Sequence, residues 1–336
     1  MSEPLLSVRD LRVEFAVRHG AFGRPAGTVK AVDGVSFDVL RGETLGLVGE
    51  SGCGKSTTGR AVLRLIEPTS GEIRFDGADV RAMSGEELRA LRRRMQIVFQ
   101  DPFGSLNPRM SVGAMLDEAL KVHGLGGPGR AGRRRRSVEL LERVGLGEEH
   151  LDRYPHEFSG GQRQRLGIAR ALSVEPDFLV LDEPVSALDV SVRAQVVNLL
   201  ADLQKELGLT YLFIAHDLAL MEHVSDRIAV MYLGGPSEVA APPRRYREPS
   251  HPFARALLSA VPRPDPAGRD SRRRIVLPDH PPRPPGGEAP CCAFHPRCPN
   301  PLKDDECVRV YPAMSGGPEG HMTACHHPGF ESETRG

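Results

Sequence analysis

The sequence predicts an α/β protein in which helices cover both faces of a mostly parallel sheet. Short apolar strands are predicted at residues 44–48, 178–181 and 211–215, and a helix at 190–207 separates the last two. Apolar strands that alternate with helices are typical of parallel sheets buried on both faces. From about 111 to 172 the pattern turns helical, so we expect a helical subdomain inserted into the sheet.

Antiparallel strands are expected beside this core. Residues 11–15 and 35–39 alternate apolar and polar side chains with period two. Residues 71–75 and 96–99 are predicted as further short strands. The amino-terminal strands therefore predict an antiparallel β subdomain.

A phosphate-binding loop follows the strand at 44–48. Residues 49–56 fit the pattern G-x-x-x-x-G-K-[ST], and a helix is predicted from 57 to 66. Such a loop surrounds a polyphosphate with backbone N–H groups, and the helix N-terminus favours negative charge. Lys55, one of five lysines in the chain, would reach the β- and γ-phosphates, and Ser56 would ligate Mg²⁺. The residues that we assign to nucleotide binding here are Gly49, Glu50, Ser51, Gly52, Cys53, Gly54, Lys55, Ser56 and Thr57.

Two carboxylates end the apolar strand at 178–181. Asp182 can hold Mg²⁺ through its water shell, and Glu183 is placed to polarise an attacking water. An apolar run followed by Asp-Glu also fits a strand and a helix cap. Downstream of a phosphate loop, the pair indicates nucleotide hydrolysis.

A second glycine-containing turn leads into a predicted helix. Ser159, Gly160, Gly161 and Gln162 would form another anion-binding nest at that helix start. A plain turn with a helix N-cap would explain the two glycines, but it would not explain the run of glutamine and arginine residues at 162–165.

The order of these motifs resembles the ATPase subunits of ABC transporters over residues 5 to about 233. The resemblance identifies Gln100 as the Q-loop glutamine, 159–162 as the signature, 186–189 as the D-loop and His216 as the switch histidine. Phe158 is a departure, since many ABC proteins carry leucine there.

The resemblance also implies roles for single residues. It implies that Glu183, His216 and Gln100 serve catalysis, and that Ser56, Gln100 and Asp182 hold Mg²⁺. ATP then binds between two subunits, with the phosphate loop of one facing the signature of the other. The residues expected to contact nucleotide outside the phosphate loop are Phe15, Gln100, Ser159, Gly160, Gly161, Gln162, Asp182 and Asp189. Phe15 would stack on adenine, although a buried strand phenylalanine is equally compatible with the sequence.

A narrower resemblance concerns importers of oligopeptides and dipeptides. Segments 98–110, 182–191 and 230–234 resemble those ATPases, and 250–253 resembles their His-Pro-Tyr element with Phe253 in place of tyrosine. Residues 45–65 look like the F-type member of the two related ATPases that such importers pair. Residues 235–241 depart from the usual pattern.

This narrower resemblance implies partners and a location. We expect a heterodimer with a paralogous ATPase, two transmembrane permease subunits and an extracytoplasmic peptide-binding protein, with this chain peripheral on the cytoplasmic face of the membrane. A homodimer of two copies of this chain remains an alternative to the heterodimer. An importer of nickel or another small solute, or a soluble ABC ATPase without a transport role, is the alternative function.

Composition agrees with these expectations. The formal net charge is zero, so nothing marks the chain as nucleic-acid-binding. The apolar runs are too short to cross a bilayer. The first residues have neither a basic nor an apolar segment, so no signal peptide is expected.

Three regions are predicted along the chain. Residues 1–234 form the ATPase domain, with its helical subdomain at about 100–175. Residues 235–290 form a proline-rich connecting segment with one short helix near 253–260. Residues 291–330 form a small, irregular, cysteine-rich extension.

The cysteine-rich extension is a candidate metal site. Cys292, Cys298, Cys307 and Cys325 offer four thiolates, and Cys291 is an extra thiol that could substitute as a ligand. The absence of a C-x-x-C pair fits a zinc ribbon poorly, and the spacing alone leaves zinc and a [4Fe–4S] cluster open. The stretch 292–299 resembles the tail of peptide-importer ATPases, some of which hold an iron–sulfur cluster, which favours the cluster. Free thiols in a proline-rich tail are the third interpretation.

Overall fold

The structure is a computed structural model that describes residues 3–19, 24–240, 249–261, 274–278, 291–316 and 321–329. It divides into two compact units. The first unit takes Val39–Thr44 and Ala82–Ile214, and the second takes Pro4–Asp38, Leu45–Arg81 and the chain from Ala215 onward.

Twelve strands lie in the described residues. In chain order they are β1 Pro4–His19, β2 Arg24–Leu40, β3 Thr44–Gly49, β4 Ser70–Phe75, β5 Ala78–Asp79, β6 Met95–Val98, β7 Phe178–Asp182, β8 Thr210–Ala215, β9 Arg227–Tyr232, β10 Gly235–Ala240, β11 Ser315–Gly316 and β12 Met322–Thr323.

Ten α-helices lie in the same residues. They are α1 Lys55–Val62, α2 Gly85–Arg94, α3 Pro102–Ser105, α4 Val112–Val122, α5 Gly129–Arg143, α6 Gly160–Leu172, α7 Val190–Leu207, α8 Leu218–Val224, α9 Pro252–Ser259 and α10 Asp305–Arg309. Helix α7 has the predicted bounds. Asp189 caps its start, and Gly208 ends it with a φ of 66°, a left-handed conformation that glycine adopts without penalty.

The first unit contains a parallel sheet and the helical block. Strands β6, β7 and β8 are parallel neighbours in that order. Every position of β7 and β8 is buried, as expected of a sheet with both faces covered. Helices α4, α5 and α6 fall within the range predicted as helical. Asp182 therefore lies at the carboxyl-terminal end of β7, between β6 and β8.

The second unit contains two groups of strands. One is an antiparallel sheet in the order β2-β1-β4-β5, which confirms the predicted antiparallel subdomain. In the other, β3 is parallel to β9, β9 is antiparallel to β10, and β12 pairs with β10. Gly46 lets α8 approach β3 closely, because a Cβ there would lie 2.5 Å from Ser225 Oγ and 2.9 Å from Met221 Sδ.

Strand β10 occupies the first six residues of the segment that the sequence predicts as a proline-rich connection. Pro236 does not prevent the strand, because the pairing with β9 shifts register between Pro236 and Glu238, and proline is tolerated at such an irregularity. Helix α9 lies where a short helix is predicted. Most of the remaining connection, including 279–290, lies outside the described residues. None of the described helices is both long and apolar enough to span a bilayer.

Candidate functional site

The phosphate loop joins a buried strand to a helix. All six residues of β3 are buried, and α1 begins at Lys55 after Gly54 without a side-chain cap. Helix starts carry backbone N–H groups that no intrahelical carbonyl accepts. Ser56 and Thr57 lie half-buried in the first turn of α1. This helix start is therefore suited to an anion.

The backbone of the loop requires glycine. Gly54 has a φ of 104°, and a Cβ there would lie 2.1 Å from the carbonyl oxygen of Ala31. Gly52 has a φ of 77° with open space around the missing Cβ. At Gly52 the requirement is the left-handed backbone, while at Gly54 it is both the backbone and the close approach of Ala31.

Lys55 is held by the loop itself. Its side chain is buried, and its Nζ donates hydrogen bonds to the carbonyl oxygens of Gly49 at 2.8 Å and Glu50 at 2.9 Å. Nζ also lies 3.8 Å from Cys53 Sγ. Burial raises the pKa of the Cys53 thiol, so this sulfur is a neutral and weak acceptor.

The carboxylates after β7 lie in the first unit. Asp182 is fully buried at the end of the strand. Glu183 has a φ of 45°, and its backbone N–H donates to the carbonyl oxygen of Ile214 at 3.0 Å. Gln100 Nε2 donates to Glu183 Oε2 at 2.9 Å, so the structure joins two residues predicted to serve catalysis. A non-glycine residue in this backbone region is uncommon and is often functional.

The signature turn is a capped helix start. Ser159 Oγ accepts the N–H of Gln162 at 3.3 Å, and Gln162 Oε1 accepts the N–H of Ser159 at 3.0 Å. The capping interpretation is thus right, and Ser159 is exposed at this helix start. Gly161 allows close packing of α6 on α7, since a Cβ there would lie 2.3 Å from Val192 Cγ1. Gly160 is exposed beside it.

Three other residues predicted to contact nucleotide or to serve catalysis are a helix cap, a histidine after a strand and a strand phenylalanine. Asp189 caps α7 by accepting from Val192 N at 3.0 Å and Ser191 Oγ at 2.8 Å. These bonds from the Val192 backbone and the Ser191 side chain lower the pKa of Asp189. His216 is exposed directly after β8. Phe15 lies in β1 and is 44% exposed, so the alternative of a buried strand phenylalanine is wrong.

The four cysteines predicted as metal ligands line one pocket of the second unit. Cys292, Cys298, Cys307 and Cys325 all border it. Burial has the largest effect on the pKa of the Cys292 thiol, and the backbone groups of Phe294 and His295 act to lower that pKa. Burial raises the pKa of the Cys292 and Cys325 thiols to about 11. Because metal ligands bind as thiolates, a bound cation would have to offset this effect. The four thiols that line this pocket are donors of the type that a metal centre uses.

The sulfurs are spread around this pocket. Within the ranges that the structure describes, the set of three metal-ligating atoms within 4.8 Å of one another belongs to Asp304, Cys307 and His327. The four cysteine sulfurs do not form such a set. Asp304 also caps α10 through Glu306 N and Cys307 N, so its carboxylate already has a structural partner.

An aromatic cluster anchors the cysteine-rich region within the second unit. Tyr232, Phe253 and Phe294 lie with ring centroids 4.7 to 5.5 Å apart. His251 Nδ1 accepts the N–H of Phe253 at 3.1 Å. Burial lowers the pKa of His251 to about 4, which keeps this ring neutral and able to accept. Phe253, which stands where the His-Pro-Tyr element has tyrosine, is fully buried and packs here without a hydroxyl group.

One contact of the phosphate loop is absent from the sequence prediction. Arg297 Nη1 and Nη2 donate to the two carboxylate oxygens of Glu50 at 2.8 and 3.0 Å. The residues are 247 positions apart, so no local pattern could pair them. The only available signal is that Arg297 stands beside a predicted metal ligand, Cys298.

Comparisons with known proteins agree with these features. The family model of ABC transporters matches residues 32–186. A protein of Brucella ovis is 54% identical over 324 residues, which cover 96% of this chain and 97% of that protein. The ATP-binding cassette MJ0796, solved as a dimer in a post-hydrolysis state with ADP and Pi, has a TM-score of 0.62 and 27% identity. That match covers 70% of this chain and 98% of the cassette.

The chain therefore belongs to the ABC transporter ATPases, and the predicted fold class is confirmed. The model of the oligopeptide/dipeptide transporter C-terminal region matches residues 238–307. The oligopeptide transport ATP-binding protein AppF of Bacillus subtilis is 49% identical and covers 96% of this chain, 97% of its own length. OppF of the same organism is 55% identical and covers 82% of this chain, 88% of its own length. Within the ABC ATPases, the chain belongs to the oligopeptide/dipeptide transporter ATP-binding proteins.

Proposed function

We propose that this chain hydrolyses ATP to power the import of oligopeptides or dipeptides. The observation that carries the proposal is the presence, in one chain, of the ABC motifs and of the oligopeptide/dipeptide transporter C-terminal region at 238–307. Relatives that match nearly the whole chain carry names of oligopeptide transport ATP-binding proteins. Two transmembrane permease subunits and a substrate-binding protein are the partners that such a role requires.

The roles of the site residues follow the family resemblance. Lys55 and the phosphate loop bind the phosphates, and Phe15 stacks on adenine. The family resemblance assigns Ser56, Gln100 and Asp182 to Mg²⁺, which would neutralise phosphate charge when bound. Glu183 orients and polarises the attacking water, and His216 contacts the γ-phosphate. The bond from Gln100 to Glu183 supports the pairing of the Q-loop with the catalytic carboxylate.

A second ATPase subunit completes each site in this proposal. The capped helix start at Ser159 and the phosphate loop belong to different units of the chain, and each presents helix N–H groups to an anion. The solved cassette with ADP and Pi is a dimer. We propose a paralogous ATPase as the partner. We also propose that the permease subunits hold this chain on the cytoplasmic face of the membrane.

Uptake measurements test the transport role. In the source organism, loss of this chain should abolish uptake of a radiolabelled tripeptide and leave ⁶³Ni²⁺ uptake unchanged. Restoring the chain should restore peptide uptake, whereas restoring Lys55→Ala should not, because the variant lacks the phosphate-binding ammonium. Loss of nickel uptake with normal peptide uptake would favour the nickel alternative. Normal uptake of both would favour an ATPase without either role.

The cysteine-rich region is proposed to hold a [4Fe–4S] cluster. A single zinc ion with Zn–S bonds of about 2.3 Å would hold its four sulfurs about 3.8 Å from one another. The four cysteines share one pocket, but their sulfurs are not grouped within 4.8 Å. The preference for the cluster over zinc rests on the resemblance of residues 292–299 to the tail of peptide-importer ATPases. The cluster would add ligand bonds to a segment that the aromatic cluster holds through Phe294.

Metal analysis of anaerobically purified protein tests this centre. We expect a brown protein with about four iron and four sulfide per chain. Cys307→Ser should lose the colour, while Cys291→Ser should keep it, because Cys291 does not border the pocket of the four cysteines. Colourless protein with stoichiometric zinc would replace the cluster with zinc. Protein without any metal would leave free thiols.

A further inference from the structure

The contact between Arg297 and Glu50 joins the cysteine-rich region to the phosphate loop. Nη1 of Arg297 donates to one carboxylate oxygen of Glu50 and Nη2 to the other. This forked geometry makes arginine–carboxylate pairs strong and directional. The Arg297 side chain is only 8% exposed and that of Glu50 31%. The Arg297 side chain is thus buried and that of Glu50 half-buried, so salt screens this pair less than a fully exposed one.

The position of Arg297 is fixed from its own side of the contact. Its Nε donates to the carbonyl oxygen of Pro278 at 2.9 Å, and Nη1 lies 3.4 Å from the hydroxyl of Tyr232. Its guanidinium carbon lies 5.8 Å from the centroid of the Tyr232 ring. With Glu50, these partners hold the guanidinium on several sides, which leaves it little freedom to move.

The backbone around Arg297 is set by the loop between two of the candidate metal ligands. Residues His295–Arg297 form a 3₁₀ turn, in which the N–H of His295 donates to the carbonyl oxygen of Cys292 at 3.0 Å. The N–H of Cys298 in turn donates to the carbonyl oxygen of His295 at 3.2 Å. Whatever orders this loop therefore also places Arg297.

On the other side, Glu50 is directly connected to the phosphate-binding lysine. The carbonyl oxygen of Glu50 accepts from Lys55 Nζ at 2.9 Å, and that of Gly49 accepts at 2.8 Å. An ammonium has three donors, and Nζ otherwise lies 3.8 Å from Cys53 Sγ, a weak acceptor. The two carbonyls thus fix the orientation of the ammonium, and a shift of Glu50 would change that orientation.

We propose that Arg297 is a positioning residue for the phosphate loop, which it holds in its nucleotide-binding shape through Glu50. The proposal rests on the assignment of residues 49–56 to nucleotide binding. It makes the affinity for nucleotide depend on the cysteine-rich region, which supplies the arginine that holds Glu50.

Calorimetric titration of the full chain with MgADP tests this role without hydrolysis. We expect Arg297→Ala to raise the Kd about tenfold, a typical coupling between linked sites. Arg297→Lys should raise it less, since lysine keeps the charge but loses the fork. Arg309→Ala is the matched control, because Arg309 lies in the same region and makes an exposed pair with Asp305. Its Kd should equal that of the parent.

A double-mutant cycle separates positioning from general damage to the fold. If the two residues act through each other, Arg297→Ala should add little to the effect of Glu50→Gln. Melting temperature and metal content identify variants in which the cysteine-rich region no longer folds. If Arg297→Ala does not fold, the Kd of Arg297→Lys tests the proposal in its place. An unchanged Kd in folded Arg297→Ala and Arg297→Lys would overturn the inference. A parental Kd in Lys55→Ala would instead overturn the assignment of the nucleotide site.

Discussion

Replacement of Glu183 by glutamine should lower ATP hydrolysis by at least about a hundredfold, the scale of a lost general base. Glutamine has the same shape as glutamate and can still accept the hydrogen bond that Gln100 donates at 2.9 Å. The backbone bond from Glu183 N to the Ile214 carbonyl oxygen is unaffected. The variant therefore loses the charge that polarises water and keeps the geometry around it. MgADP affinity should remain that of the parent, because the substitution leaves the phosphate loop at 49–56 and Asp182 unchanged.

Glu175→Gln is the matched control for this substitution. Glu175 lies in the same unit, and its φ of 56° resembles the 45° of Glu183. Its carboxylate makes exposed pairs with Arg93 and Arg136, which contribute little to stability. Steady-state phosphate release at saturating MgATP from both variants, assembled with the transport partners, is the measurement. A Glu183→Gln protein that turns over as fast as Glu175→Gln would remove Glu183 from catalysis.

Local sequence patterns predict much of the site because the patterns are also local in space. A buried strand, a glycine-dependent turn and a helix follow one another in residues 44–62, so the motif and the site nearly coincide. The same holds for the α6 cap, where Ser159 and Gln162 are three residues apart. Such features require no knowledge of the rest of the chain.

Contacts between distant segments could not be predicted in this way. The pair of Glu50 and Arg297 depends on how the cysteine-rich region folds back within the second unit. Strand β10 is another example, since its partners β9 and β12, and not its own proline-containing sequence, make it a strand. In both cases tertiary pairing overrides weak local preference.

Replacement of Ser159 by arginine should also stop hydrolysis, but for a reason outside the chain's own phosphate loop. Ser159 is exposed at the start of α6, where the proposed partner subunit presents its nucleotide. A long side chain there obstructs the approach and removes the hydroxyl donor. We expect a loss of about a hundredfold or more in the assembled complex, the scale of one lost transition-state donor. MgADP affinity of the isolated chain should not change.

The cap itself requires its own control. Ser159→Arg also removes the capping box, which costs about 1 kcal/mol of stability. Ser84→Arg removes an equivalent box with Glu87 at the start of α2 in the same unit. It should lower stability by a similar amount and leave the ATPase activity of the complex intact. Similar losses of activity in both variants would point to the damaged caps instead of the nucleotide interface.

A comparison of cis and trans arrangements decides whether each site is shared between chains. Where two copies of this chain assemble, Lys55→Ala in one copy and Ser159→Arg in the other damage the same site and leave the second site intact. Both changes in one copy damage both sites, because its phosphate loop and its signature serve different nucleotides. The first arrangement should retain activity and the second should not. With a paralogous partner, Ser159→Arg should stop hydrolysis of the nucleotide bound to the partner's phosphate loop. Lys55→Ala should stop hydrolysis of the nucleotide bound to this chain's own phosphate loop. Equal activity in the cis and trans arrangements would contradict a shared site.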